Sequence, residues 1–184
     1  MGEIDAGWTV GTRWMYHERI GHNSPYVTRP IGLSGAAAEG PTPVAIARKA
    51  GRLEDPAAQE LIGEARALEI VTHELQRRLA AAAGSGKGNT DSSAIDRLFR
   101  GMAYARQKTI AFDLAGSTAA GWTEEEEETT GAQGMDFLMR QVSCIGGGTT
   151  EIARNVISER VLGMPREPSG DRNVPFRDVP RGPK

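Results

Sequence analysis

The sequence holds a single cysteine, Cys144, in 184 residues, so no intrachain disulfide can staple it and a reducing compartment is the simplest setting. It has no excess of one charge: 22 basic against 24 acidic residues leave a formal net charge of −2 and a pI near 6.0. A nucleic-acid or anionic-membrane binder would carry a basic face and usually a basic total, so those classes are set aside. No apolar run approaches the roughly 18 residues of a membrane span. The opening MGEIDAGW has neither the basic nor the apolar region of a signal peptide. The expected setting is soluble and cytoplasmic, with no nucleic-acid partner and no membrane span. His17, His22 and His73 show no metal-ligand spacing, so no metal is expected.

Large apolar side chains are also scarce. Leu, Ile, Val and Phe total 34 of 184 residues, below the roughly 20% that flags a weak core. The 23 glycines and 10 prolines exceed average usage. The net charge is too small for a wholly disordered chain. One modest helical core with long loops, needing a partner surface for its remaining apolar face, accounts for these numbers.

What is present is helical periodicity. Residues 7–20 read as a helix, with Trp8, Gly11, Met15 and Glu18 at near-helical spacing and Gly21, Asn23, Ser24 and Pro25 ending it. Residues 25–54 read as an irregular loop, with at most a short helix around Val44–Ala50. Asp55 ahead of Pro56 is an N-cap before a proline at the first helical position. From there Leu61, Ala65, Leu68, Thr72, Leu75 and Leu79 form a stripe, widened by Ile62 and Val71, running to Ala83. A second long helix begins at DSSAID, where Ser93 and Asp96 have capping-box spacing. Its apolar face is expected on Ile95, Leu98, Phe99, Met102, Ala105, Ile110 and Leu114, ending near Gly116. Residues 117–133 read as an irregular acidic loop, Met135–Cys144 as a third helical stretch, and Thr149–Leu162 as the last helix, stopped by Gly163 and Pro165. Residues 166–184 are expected to be an extended tail without regular structure. No strand signal and no internal repeat occurs, so the fold class is all-α, a helical bundle over 1–165.

Two glycine-rich motifs invite a ligand. GSGKG at Gly84–Gly88 fails the phosphate-loop pattern, because Ala81 and Gly88 stand where Gly and Ser or Thr are needed. It reads as a helix stop. GGGTTEIARN, from Gly146 to Asn155, is more informative: the glycines allow close backbone approach, and the threonines offer hydroxyls and an N-cap. The residues alone leave a tight helix corner and an anion or nucleotide contact both open.

The segment IGGGTTEIARNVISERVLGMPREP, Ile145 to Pro168, resembles the last helix and tail of the flavin-dependent acyl-CoA dehydrogenases. The opening GEIDAGWTVGTRWMYHER resembles the entry into that family's C-terminal helical domain. The resemblance covers roughly residues 1–168, strongly at both ends. It implies an up-and-down bundle of the acyl-CoA dehydrogenase C-terminal domain type, FAD as cofactor, an acyl-CoA thioester as substrate and an electron-transfer acceptor. It also implies a homo- or hetero-oligomer and, because the family has an N-terminal helical domain and a β-domain as well, an incomplete enzyme.

In that family a glutamate takes the α-proton of the thioester while the flavin takes the β-hydrogen as hydride. Its commoner position, directly before the Gly-Thr of the last motif, is Gly147 here; the alternative position, on the first helix just before an arginine, is Glu18, followed by Arg19. The resemblance therefore implies Glu18 as the base, Arg19 and Gly147 at the substrate, and Gly148, Thr149 and Glu151 at the flavin, the last two on its adenosine side. It further implies that Glu18 and Gly147 face one cavity. The chain departs from the family in lacking the Arg-x-x-Phe-Gly flavin motif, and in carrying DLAGS at Asp113–Ser117 where many members have glutamine and paired glycines. A non-catalytic helical subunit of the same descent is the competing expectation.

Overall fold

A computed structural model describes residues 2–23, 41–85, 93–120, 131–168, 174–179 and 182. Among them there are helices and no strand. The α-helices are α1 (Gly7–Asn23), α2 (Pro43–Lys49), α3 (Pro56–Gly84), α4 (Ser93–Ala115), α5 (Gly131–Met139) and α6 (Thr150–Val156). Helix α4 is the axis of the fold: α1, α2, α3, α5 and α6 all pack against it.

Local chemistry sets the helix starts. Thr42 caps α2 by accepting from the Ala45 N–H at 3.2 Å, with Pro43 at the first helical position. Asp55 caps α3 in the same way, its Oδ1 accepting from the Ala57 N–H at 3.0 Å. Arg52 ties that corner to the far end of α4. Its Nε and Nη2 donate to Asp55 Oδ2 at 3.1 and 2.8 Å, and its Nη1 donates to the Asp113 carbonyl at 2.7 Å. Arg106 on α4 meets Glu64 on α3 through two 2.7 Å bonds. Moving up α4 from 106 to 113 thus means moving back from 64 toward 52, so α3 and α4 run antiparallel.

The apolar core lies where α2, α3 and the C-terminal half of α4 meet: Ile46, Ala47, Ala58, Ala65, Ile110, Leu114, Ala115 and Ala119. Alanines let the helix backbones approach, and Ile110 and Leu114 fill the space with no exposed surface. Burying each of these two contributes about 1.5–3 kcal/mol. Phe112 of α4 stacks on Phe137 of α5 with ring centroids 4.3 Å apart, and Lys108 pairs with Asp136 across the same two helices.

Several boundaries and faces differ from the sequence reading. Helix α2 stands inside the 25–54 stretch, at the place of the short helix expected there, while residues 24–40 lie outside the described residues. Helix α5 begins at Gly131 and passes into a 3-10 turn over Arg140–Cys144. The last helix changes pitch, being α-helical to Val156 and π-helical over Ile157–Val161. In the tail, Phe176–Asp178 form one 3-10 turn, and Arg166 Nε forms an ion pair with Glu159 Oε2 at 2.7 Å. On α3 Leu61, Ile62, Ala65 and Leu68 pack at the core and Thr72, Leu75 and Leu79 are half-buried, but Val71 is exposed. The first half of α4 is rotated from the expected face: Ile95 and Met102 are exposed, while Ala94, Asp96, Arg97, Gly101, Ala103 and Ala105 are buried. Small residues win there because the turn after α5 lies directly on the helix. Much apolar surface stays open on α1, where Trp8 and Trp14 are 81% and 68% exposed.

Candidate functional site

The glycine motif forms a turn between the 3-10 segment Arg140–Cys144 and α6, laid across the N-terminal half of α4. Gly147 is buried at φ +72° and Gly148 follows at φ +107°. Side chains rarely adopt such backbone, so two successive glycines are what this turn requires. A Cβ built on Gly148 would meet nothing within 4 Å, so the backbone there presents an open face. Thr149 then caps α6, its hydroxyl oxygen accepting from the Ile152 N–H at 3.2 Å. Thr150 is buried and its hydroxyl donates to Glu151 Oε1 at 3.1 Å. The Glu151 carboxyl is held below its ordinary pKa by its own backbone N–H, by the two threonine hydroxyls and by Arg154. It is an exposed, ionised acceptor.

Beneath the turn lies a polar layer, at the inward face of α4 that the sequence predicts to be mostly apolar. Arg97 is 3% exposed and spans from α4 to the turn, Nη1 donating to the Ser143 carbonyl at 2.7 Å and Nη2 to the Gly146 carbonyl at 2.5 Å. The Ser143 hydroxyl sits 3.0 Å from the Gly101 carbonyl and 2.8 Å from that of Arg140, and the Cys144 thiol 3.5 Å from Gly101. Gly101 makes the approach possible: a Cβ there would stand 2.8 Å from Arg97 Nη1 and 3.0 Å from the Ser143 oxygen. An isolated glycine inside an otherwise good helix is the kind of position that has a packing reason, and at Gly101 the reason is this contact. Asp96 is also buried, with Oδ2 3.3 Å from Arg100 and no hydrogen bond to Oδ1. Burial pushes its carboxyl pKa up against the pull of Arg100 and Arg97. Burial and the neighbouring Arg100 pull the Arg97 guanidinium down, while Cys144 and Asp96 act the other way.

The structure brings Gly147, Gly148, Thr149 and Glu151 together in one turn. Glu18 and Arg19 are on α1, which packs against the same helix α4. Their side chains lie outside the described residues, and so does the expected shared cavity of Glu18 and Gly147. Among the described residues no group of His, Cys, Asp and Glu could hold a metal ion. No described helix is long and apolar enough to cross a membrane.

Comparison with known proteins finds acyl-CoA dehydrogenases. The acyl-CoA dehydrogenase IpdE1 of Mycolicibacterium smegmatis is 29% identical over 174 residues, covering 92% of this chain and 40% of its own length. IpdE1 of Mycobacterium tuberculosis is likewise 29% identical, with 41% of its length covered. The acyl-CoA dehydrogenase FadE34 of M. tuberculosis is 26% identical over 167 residues, covering 90% of this chain and 21% of its own length. The chain thus spans about two fifths of the IpdE1 proteins and a fifth of FadE34. No family model matches it. No solved structure matches it either. The likeness to acyl-CoA dehydrogenases read from residues 145–168 and from the opening segment holds across nine tenths of the chain.

Proposed function

We propose that this chain is the helical part of a flavin-dependent acyl-CoA dehydrogenase, a catalyst that removes hydrogen from the α and β carbons of an acyl-CoA thioester. The observation that carries the reading is the similarity to acyl-CoA dehydrogenases over 92% of the chain. The glycine turn fits an FAD contact. Its backbone is open at Gly148, and Glu151 is ionised, an acceptor for hydroxyl and amine donors. That chemistry suits the adenosine side of FAD better than its diphosphate, which a carboxylate would repel. In this reading Gly148, Thr149 and Glu151 hold the cofactor. When bound, FAD supplies the hydride acceptor.

The chain's own part in the chemistry is the proton. Glu18 takes the α-proton onto its carboxylate, and it needs a pKa raised from about 4.3 toward the operating pH to do so, which an apolar, water-poor site provides. Arg19 supports the acyl-CoA. Gly147, at the family's other position for the base, leaves room for a carboxylate arriving from α1.

The test separates the part from the whole. Purified chain 1–184 is expected to bind FAD weakly and to show no dehydrogenation. Fused to the remaining length of the M. smegmatis relative, it is expected to bind FAD and turn over acyl-CoA. In that fusion Glu18→Gln is expected to cut turnover by about 10²–10⁴-fold while FAD stays bound, since only the proton acceptor is removed. Unchanged turnover would remove Glu18 from the role. A fusion that binds FAD yet never turns over would favour the non-catalytic subunit.

A further inference from the structure

We infer that Arg97 is the positioning residue of the turn from Gly146 to Thr150, holding it by the Ser143 and Gly146 carbonyls. This rests on the reading above for its consequence, because that turn carries the residues assigned to substrate and flavin; the contact itself does not depend on it.

Three observations converge on Arg97. The first is charge balance. Asp96 and Arg97 are buried side by side, and Asp96 is also in ion-pair contact with the half-buried Arg100. Arg97 shares the Asp96 charge and is directly bonded by two carbonyl oxygens at and just past the C-terminal end of the 3-10 segment, where helix dipoles accumulate negative charge. A buried cation without compensation is costly, so the turn and the guanidinium hold each other in place. The second is the space left for the contact. Gly101 has no Cβ at the point where one would collide with Nη1 and with the Ser143 oxygen. The third is sequence adjacency. The Gly146 carbonyl, held at 2.5 Å, immediately precedes the two glycines of positive φ, so fixing it fixes where their backbone begins. Arg97 touches neither proposed ligand; it acts through Gly146 on Gly147 and Gly148.

A merely structural arginine would stabilise the whole chain, whereas a positioning arginine controls the turn beyond its share of global stability. Amide hydrogen exchange in chain 1–184 tells these apart, with α3 amides reporting global opening and the hydrogen-bonded amides of Ile145, Gly146, Ile152 and Ala153 reporting the turn. With Arg97→Met, exchange in the turn is expected to rise about tenfold more than in α3, since both carbonyls lose their donors. With Arg97→Lys, which keeps the charge but not the two-pronged reach, turn protection is expected to recover in part. Equal rises in turn and α3, or no rise in the turn, would overturn the inference. If Arg97→Met fails to fold, Gly101→Ala decides: it keeps the charge and places a methyl against Nη1, and the same turn-selective loss is expected. In the fusion protein the consequence is read by FAD titration, where Arg97→Met is expected to weaken FAD binding and Arg97→Lys to restore part of it. A fusion that binds no FAD before any substitution would sink the functional reading and leave the exchange result to judge Arg97 by itself.

Discussion

The two ends of α4 are buried alike and built from opposite chemistry. Around its C-terminal half, Ile110, Leu114 and Ala115 meet Ile46, Ala47, Ala58 and Ala65 in an apolar cluster. Around its N-terminal half, Asp96, Arg97 and Gly101 meet Ser143 and Thr150, and hydrogen bonds from Arg97 and Ser143 tie the helix to the turn. Apolar burial is non-directional and scales with area, so the first end supplies stability and tolerates small shifts. Hydrogen bonds in a dry site have fixed lengths and angles, so the second end supplies position. One helix thereby connects a part that holds the fold to a part that sets a turn.

The largest effect is expected from the apolar end. Leu114 has no exposed surface, and Leu114→Ala leaves a cavity among alanines that cannot move in to fill it. A loss of about 2–5 kcal/mol is expected, read as a lower urea midpoint and Tm. Hydrogen exchange should rise together in α3 and in the glycine turn, because the whole molecule opens more often. A loss confined to the neighbourhood of Leu114 would break the comparison. At the polar end, Gly101→Ala is expected to cost less overall, about 1–3 kcal/mol from crowding Arg97 and Ser143, offset by roughly 1 kcal/mol of better helix propensity. Its signature is local, in the turn. If Gly101→Ala lowered the urea midpoint as much as Leu114→Ala, the two ends would not differ in kind.

The sequence shows the apolar end far better than the polar one. Periodicity picks out Leu61, Ala65, Ile110 and Leu114, and Asp55-Pro56 marks the start of α3, because those signals are local and the packing follows them. It misplaces the inner face of α4 near Ile95 and Met102, since an apolar stripe is assumed to face inward and here a turn some forty residues away selects Gly101 and Arg97 instead. Tertiary context overrides local pattern at such places. At the site, the run Gly147–Thr149 is legible because glycine pairs and a following threonine carry conformational meaning. Arg97 is not legible, because a buried arginine and a surface arginine look alike in a sequence.

A smaller effect probes the seam between the two ends. Glu64 of α3 and Arg106 of α4 form a two-bond ion pair with side chains 39% and 42% exposed. Exposed pairs contribute about 0.2–1 kcal/mol, so a double-mutant cycle with Glu64→Gln and Arg106→Gln should give a coupling in that range at neutral pH. The bonds from Arg106 hold the Glu64 carboxyl below its ordinary value of 4.5. The coupling is therefore full above that value and lost as pH falls through the lowered one. A coupling that grew on acidification would contradict the pairing.

The smallest effect is expected on the part of α3 that lies away from the α4 seam, where Glu74 pairs with Arg77 and Arg78, all three partly exposed. Hydrogen bonds from Arg77 and then Arg78 take the Glu74 carboxyl from 4.5 down to about 2. A carboxylate with a depressed pKa stabilises the folded chain above its unfolded value, and that contribution disappears as pH falls from there toward the folded value. Wild type and Glu74→Gln are thus expected to differ slightly near neutral pH and to converge as pH drops from about 5 to about 2. Because the three side chains are solvated, the difference should also shrink at roughly 1 M salt, where the screening length is about 3 Å. These side chains are exposed, whereas α3 meets α4 through Glu64 and Ala65, so the glycine turn should not register the substitution. Exchange in the turn that followed Glu74→Gln would mean that α3 and the polar end of α4 are coupled through the helix itself, and the division of labour along α4 would have to be redrawn.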